Sequence, residues 1–170
     1  MNYFEFYGLS VKFHLDETDL RKRYFNLLKT NHPDFHINNP LKYEESLLSS
    51  SINNEAYKCL SDFYARANYI LSLKYLDFEE TLPPAFLMEM MEINEEIEHL
   101  KSTDREKIAD ILNNVALIEK SIHDDLYLNS KKADHLEIED EHILKAIKIG
   151  LLKHKYILRL KETLANIAAL

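Results

Sequence analysis

One cysteine, two glycines, four prolines and no tryptophan leave this 170-residue chain short of what several fold classes depend on. The lone Cys59 excludes an internal disulfide and any paired-cysteine zinc module. So few glycines and prolines cannot supply the turns of a many-stranded β protein, which makes an all-α fold the first expectation. No apolar run approaches the ~20 residues of a membrane span. The opening Met1-Asn2-Tyr3-Phe4-Glu5 lacks the cationic start of a secretory signal and the Arg-rich pattern of a transit peptide, so the chain reads as cytoplasmic. Basic residues are in deficit, 21 Lys and Arg against 29 Asp and Glu, a net charge of -8. No nucleic-acid or membrane partner is therefore expected.

What is present is apolar material in helical register. Hydrophobic residues make up 46% of the chain and charged residues 29%, enough to bury the core of one ordinary domain or of two small ones. Proline pairs at Pro33/Pro40 and Pro83/Pro84 divide it. Residues 2 to 8 read as a short aromatic helix stopped by Gly8. Asp16 is an expected N-cap, and Leu20, Tyr24, Leu27 and Leu28 then repeat at helical spacing until Pro33 forbids continuation. Apolar residues return at Leu48, Ile52, Ala56, Cys59, Leu60, Phe63, Ala67, Ile70 and Leu71, one long helix or two broken at Ser61-Asp62. Beyond Pro84 three stripes follow: Phe86, Met90, Ile93, Ile97 and Leu100; Ile108, Ile111, Val115, Ile118 and Ile122; and, in a helix from about Ile138, Leu144, Ile147, Leu151 and Leu158. Three such stripes joined by short turns can bury one another as a three-helix bundle. The expected domains are 1–75 and 84–170, with a linker at 76–83.

Two local patterns carry chemistry. The first is Asn31-His32-Pro33-Asp34, where proline forces the chain out of the preceding helix and leaves His32 and Asp34 on a loop with side chains able to face a partner. Arg21, Lys22, Arg23 and Lys29 precede it without an acid among them, and Lys22, Asn26 and Lys29 share a face away from the Leu20/Tyr24/Leu27 stripe. The alternative is a helix stop with a solvated basic face. The second pattern is the outer face of the first helix after Pro84. Leu87, Met88 and Met91 point roughly 100° to 200° away from its core stripe, together with Glu92 and Glu95. From Tyr75 to Leu100 there are eight acids and no Lys or Arg: Asp77, Glu79, Glu80, Glu89, Glu92, Glu95, Glu96 and Glu98. An apolar cluster among carboxylates suits a protein partner; packing on the other domain, or a widened core stripe, fits the same pattern. Tyr156 lies roughly opposite the last stripe and has the same two readings.

In order along the chain, Tyr3-Phe4-Glu5-Phe6-Tyr7-Gly8-Leu9, the basic stretch Leu20 to Lys29, His32-Pro33-Asp34 and Ile52-Asn53-Asn54-Glu55-Ala56-Tyr57-Lys58-Cys59-Leu60-Ser61-Asp62 resemble the J-domain family, co-chaperones that stimulate ATP hydrolysis by DnaK-type chaperones. Phe35 departs from the pattern, since many J-domains have lysine after the aspartate. Tyr64-Ala65-Arg66-Ala67-Asn68-Tyr69-Ile70-Leu71 and Ala85-Phe86-Leu87-Met88-Glu89-Met90-Met91-Glu92 narrow the resemblance to the HscB type, which serves iron-sulfur cluster assembly. That resemblance implies an N-terminal J-domain followed by a C-terminal three-helix domain. It implies chaperone binding through Arg21, Lys22, Lys29, His32, Pro33 and Asp34, and docking of an IscU-type scaffold protein on Leu87, Met88, Met91, Glu92, Glu95 and Tyr156. Met91 stands where relatives have leucine, and Tyr156 where they have phenylalanine. The implied partners are a DnaK/HscA-type chaperone and the scaffold; the alternative function is a general J-protein delivering unfolded clients.

No enzyme is expected. No nucleophile is assembled with a base, and Gly8 and Gly150 stand alone without a phosphate-binding loop. Pro33 breaks the helical face that would pair His32 with His36, and HExxH is absent, so neither metal nor other cofactor is expected. Cys59 falls on an apolar helix face, the place of a buried, inert thiol.

Overall fold

The computed structural model describes residues 1–74, 81–136 and 140–169. The start of the last helix near Ile138, most of the 76–83 linker, and Asp77, Glu79 and Glu80 of the acidic run lie outside the described residues. Among those described, every regular element is helical, and the chain separates into two compact units, Met1–Tyr75 and Leu76–Leu170. The fold is all-α, with an N-terminal helical-hairpin domain and a C-terminal helical domain.

In the first unit, α1 (Tyr3–Tyr7) begins where the Asn2 side chain accepts from Glu5 N–H and the Glu5 carboxylate accepts from Asn2 N–H. That reciprocal pair satisfies donors a five-residue helix cannot satisfy by itself. Gly8 ends it at φ 62°, in the left-handed region that a side chain would strain. Asp16 caps α2 (Glu17–Thr30) by accepting from Thr18 and Asp19 N–H. After a 3-10 turn at Pro33–His36, α3 (Pro40–Ser61) runs back along α2. Asn31 meets Ser49 at one end of the hairpin, and Tyr24 stacks on Tyr57 further along it. The break foreseen at Ser61-Asp62 is present: Asp62 accepts from Ala65 N–H and starts α4 (Phe63–Leu73).

Phe4, Phe13, Leu20, Leu60, Ala67 and Ile70 fill the core of this unit. Ser46, Asn53 and Arg66 are polar side chains buried in the same unit, and the last two tie elements together. Asn53 accepts from the Tyr7 hydroxyl at 2.7 Å and donates to Tyr24 O at 3.2 Å, linking α1, α3 and α2. Arg66 donates to the carbonyls of Phe13 (2.8 Å) and Leu60, holding a loop and the end of α3 against α4. Buried polar groups are tolerated because they are hydrogen-bonded in this way. Leu48 departs from the sequence expectation and stands exposed. It lies about 160° round α3 from buried Ser46 and about 140° from buried Asn53, at 100° per residue, which puts it on the outer side of the helix. Cys59 is half-buried, and burial raises its thiol pKa.

The second unit consists of α5 (Pro84–Glu98), α6 (Arg105–His135) and α7 (Glu141–Ala168). The expected stripes of α5 and α6 are buried, except that Leu100 and Ile118 are only half-buried. In α7, Leu144, Ile147 and Leu151 are buried as expected, but Leu158 is 48% exposed and Ile157 is fully buried in its stead. One flank of α7 faces α6 through Gly150, His154 and Lys161. The other faces α5 through Lys153 and Tyr156. From Lys153 onward the helix is wedged between the two, and the side between them carries Ile157, Leu160 and Leu164.

Candidate functional site

Each unit holds one of the expected surfaces. In the first, α2 ends at Asn31, whose N–H donates to Leu27 O while its side chain donates to Ser49 Oγ. His32 then takes an extended backbone, φ -69° and ψ 130°, as the residue before proline does. The 3-10 turn closes with Phe35 N–H donating to His32 O at 3.0 Å. His32 Nδ1 accepts from Asp34 N–H at 3.3 Å and lies 3.6 Å from the Asp34 carboxylate. The Asp34 side chain is 74% exposed. Its backbone is fixed by the turn, and its carboxylate faces solvent.

Along α2, Arg21, Lys22, Asn26 and Lys29 are all exposed, about 100° to 180° round the helix from buried Leu20. Arg21 is steadied over the exposed Phe25 ring at 5.7 Å. Arg23 is drawn away from that face: it pairs with Asp19 at 2.8 Å and donates to Tyr7 O at 2.7 Å, which fastens α1 to α2. Of the four cations before the tripeptide, three stand outward and one is structural.

Sequence reasoning missed an apolar surround to this tip. Phe35 is 68% exposed and stacks edge-on against His32, and Ile37 and Leu41 are exposed on the residues that follow. Their composition held a signal, since three large apolar residues fall within seven positions of an otherwise polar stretch that runs into the start of α3.

In the second unit, Leu87, Met88 and Met91 are exposed on α5, with Glu92 and Glu95 on the same outer face. The described acids Glu89, Glu96 and Glu98 are exposed as well. Tyr156 is placed differently from the expectation that it points away from its helix's buried side. Its hydroxyl accepts from Asn94 Nδ2 at 2.8 Å, and its ring meets Phe86 edge-on at 5.9 Å. It is half-buried at the α5–α7 seam. On α5, Asn94 stands about 20° from Leu87 at 100° per residue, so Tyr156 borders the Leu87/Met91 face. The structure brings these apolar residues to one margin of the bundle. Glu92 lies about 100° round the helix from Met91, flanking them.

Among the described residues no group of three or more His, Cys, Asp or Glu could hold a metal ion, and no helix is long and apolar enough to cross a membrane.

Comparison with known proteins accounts for both units. Residues 82–165 match the family model of the HSCB C-terminal oligomerisation domain. The co-chaperone protein HscB of Buchnera aphidicola subsp. Acyrthosiphon pisum (strain Tuc7) is 34% identical over 155 residues, 88% of this chain and 85% of that protein. The co-chaperone protein HscB homolog of Vibrio cholerae serotype O1 (strain M66-2) is 39% identical over 103 residues, a match that spans 58% of this chain and 60% of that relative. Two solved structures share the fold. Chaperone HscB from Vibrio cholerae has a TM-score of 0.77 and 26% identity over 99% of this chain and 98% of its own. Human co-chaperone protein HscB has a TM-score of 0.76 and 25% identity over 98% of this chain and 81% of its own. The chain belongs to the HscB family of co-chaperones.

Proposed function

We propose that this chain is a non-enzymatic adaptor that stimulates ATP hydrolysis by a DnaK/HscA-type chaperone and brings to it an IscU-type scaffold protein, whose iron-sulfur cluster is the cargo. In this reading 1–75 is the J-domain, 76–83 a linker and 84–170 the scaffold-binding domain. Membership of the HscB family supports a J-type co-chaperone role in iron-sulfur cluster assembly.

The observation that carries the reading is Asp34, a carboxylate fixed by a proline turn, three-quarters exposed, at the end of a helix with three outward cations. A group whose backbone is already ordered gives up little entropy on docking. Arg21, Lys22 and Lys29 speed encounter with an acidic surface, and His32, Pro33 and Asp34 then bias the chaperone toward its hydrolysis-competent state by binding that state better. The scaffold sits on Leu87, Met88 and Met91, with Glu92, Glu95 and Tyr156 around them. Binding both partners on one chain raises their effective concentration for each other.

Asp34→Asn preserves size and removes the charge. Chaperone ATPase stimulation is expected to fall to the level without co-chaperone, while the dissociation constant for the scaffold stays unchanged. Stimulation equal to that of the unaltered protein refutes the assignment.

A further inference from the structure

The acidic balance of the chain reverses along α7. Between Glu141 and Glu162 no Asp or Glu occurs, while Lys145, Lys148, Lys155 and Arg159 recur there at spacings of three, seven and four. At 100° per residue these four fall within about 80° of one another, on the outward side of the helix. Lys145, Lys155 and Arg159 are exposed. Among the described residues none of these three pairs with a carboxylate. Lys148 is half-buried and already engaged within the chain, so it is left out of the set. From Lys145 to Arg159 the row runs about 21 Å at 1.5 Å per residue.

Its position relative to Tyr156 gives the row a meaning. Tyr156 and Lys153 face Phe86 of α5. Lys145, Lys155 and Arg159 lie about 20° to 100° from Tyr156 in the other sense. Travelling round the bundle, the surface passes from the carboxylates of α5 to Leu87 and Met91, then to Tyr156, then to a basic ridge on α7. The apolar margin is bounded by negative charge on one side and positive charge on the other.

We propose that this ridge is the second electrostatic half of the scaffold-docking face and takes an acidic strip of the partner, an inference that rests on the scaffold reading above. The partner is a protein that is basic where it meets α5 and acidic where it meets α7. A partner turned end for end would set like charges together on both sides, so the ridge fixes a single docking orientation. Nucleic acid and anionic membrane suit the surface less well. Either would have to lie beside the α5 carboxylates, on a chain with net charge -8.

The test titrates the purified scaffold into the 170-residue chain at about 50 mM and about 300 mM salt, where Debye lengths bracket the physiological one. Lys155→Glu with Arg159→Glu is expected to weaken binding on the order of tenfold or more at low salt and only about twofold at high salt, as rim charges do. Lys155→Gln with Arg159→Gln falls between, and stands in should the reversal disturb folding as read by circular dichroism. Leu87→Ala with Met91→Ala weakens binding at both salts and tests the underlying reading separately. A reversal variant matching the unaltered protein at low salt, while the Leu87/Met91 variant is weak, overturns the ridge and leaves the reading intact. No scaffold binding by the unaltered protein overturns both. Binding to phosphatidylserine vesicles or poly(U) that the reversal removes, with scaffold affinity unmoved, assigns the ridge to polyanions and overturns it too.

Discussion

Tyr7 joins three helices through one hydroxyl, because the Asn53 it donates to also holds the Tyr24 carbonyl. Burial, with Tyr24 and Tyr57 nearby, raises its pKa well above the ordinary phenol value of 10.0. Above that pH the unfolded chain releases a proton that the native state keeps, so the unfolded state binds fewer protons and stability falls as pH rises. Tyr7 alone removes up to ~1.4 kcal/mol per pH unit there, and its contribution is fully present below about pH 10. Tyr3 and Cys59, also raised mainly by burial, act in the same direction, Cys59 from its lower ordinary value of 9.0. Tyr7→Phe is expected to cost about 1 kcal/mol at neutral pH, through the lost hydrogen bond, and to make the alkaline decline shallower. Urea unfolding at neutral pH and at a series of pH values above 10 measures both, and an alkaline slope equal to that of the unaltered protein rejects the linkage. The two kinds of residue differ in how far the sequence reveals them. Asp34 was legible because proline acts on its own neighbours. The Tyr7–Asn53 bond, like the capture of Arg23 by Tyr7 O, depends on where separate helices come to lie, and no local rule places them.

Among the elements, α7 departs most from its sequence reading, and the departure has a packing origin. Leu144, Ile147, Leu151 and Leu158 form a near-straight stripe on paper. The buried face instead turns by roughly 140° about the axis, at 100° per residue, between Leu151 and Ile157. Periodicity gives the direction of burial for a helix with one neighbour, whereas α7 gains α5 as a second neighbour from Lys153 onward. Just before that change, Gly150 lets α7 approach α6 closely: a Cβ there would fall 2.6 Å from Leu126 Cδ2 and 2.8 Å from its Cγ. Leu126 is itself fully buried, so it has little room to yield. Gly150→Val is therefore expected to destabilise the protein by about 1–3 kcal/mol through overpacking, despite the better helix former. Leu126→Ala in the same chain removes the obstructing atoms and should recover part of that loss. Chemical denaturation of both single variants and the double closes the cycle, and strict additivity denies the close approach. The α3 break at Asp62 and the caps at Asn2, Asp16 and Asp140 were easier to read or to explain, because a short polar side chain binds backbone within three residues of itself.

At the scale of the molecule, charge is sorted by surface. The outward cations of α2 accompany Asp34 in the first unit, and the exposed carboxylates of α5 flank Leu87 and Met91 in the second. On the proposed reading the two partners dock on separate faces and do not compete for one, and what joins them is the chain itself. That makes covalent linkage, and not merely the presence of both surfaces, the quantity to test. Asp34→Asn retains the proposed scaffold face, and Leu87→Ala with Met91→Ala retains the proposed chaperone face, so an equimolar mixture contains both proposed surfaces intact but never both on one molecule. If effective concentration is what the adaptor supplies, typically millimolar for a short tether, the mixture at micromolar protein should fail to restore the scaffold-dependent part of chaperone ATP hydrolysis. It should instead equal the sum of the two variants assayed separately. Steady-state phosphate release with chaperone and scaffold both present distinguishes these cases. Full activity from the mixture would mean that each surface acts independently and that joining them on one chain contributes nothing to the rate.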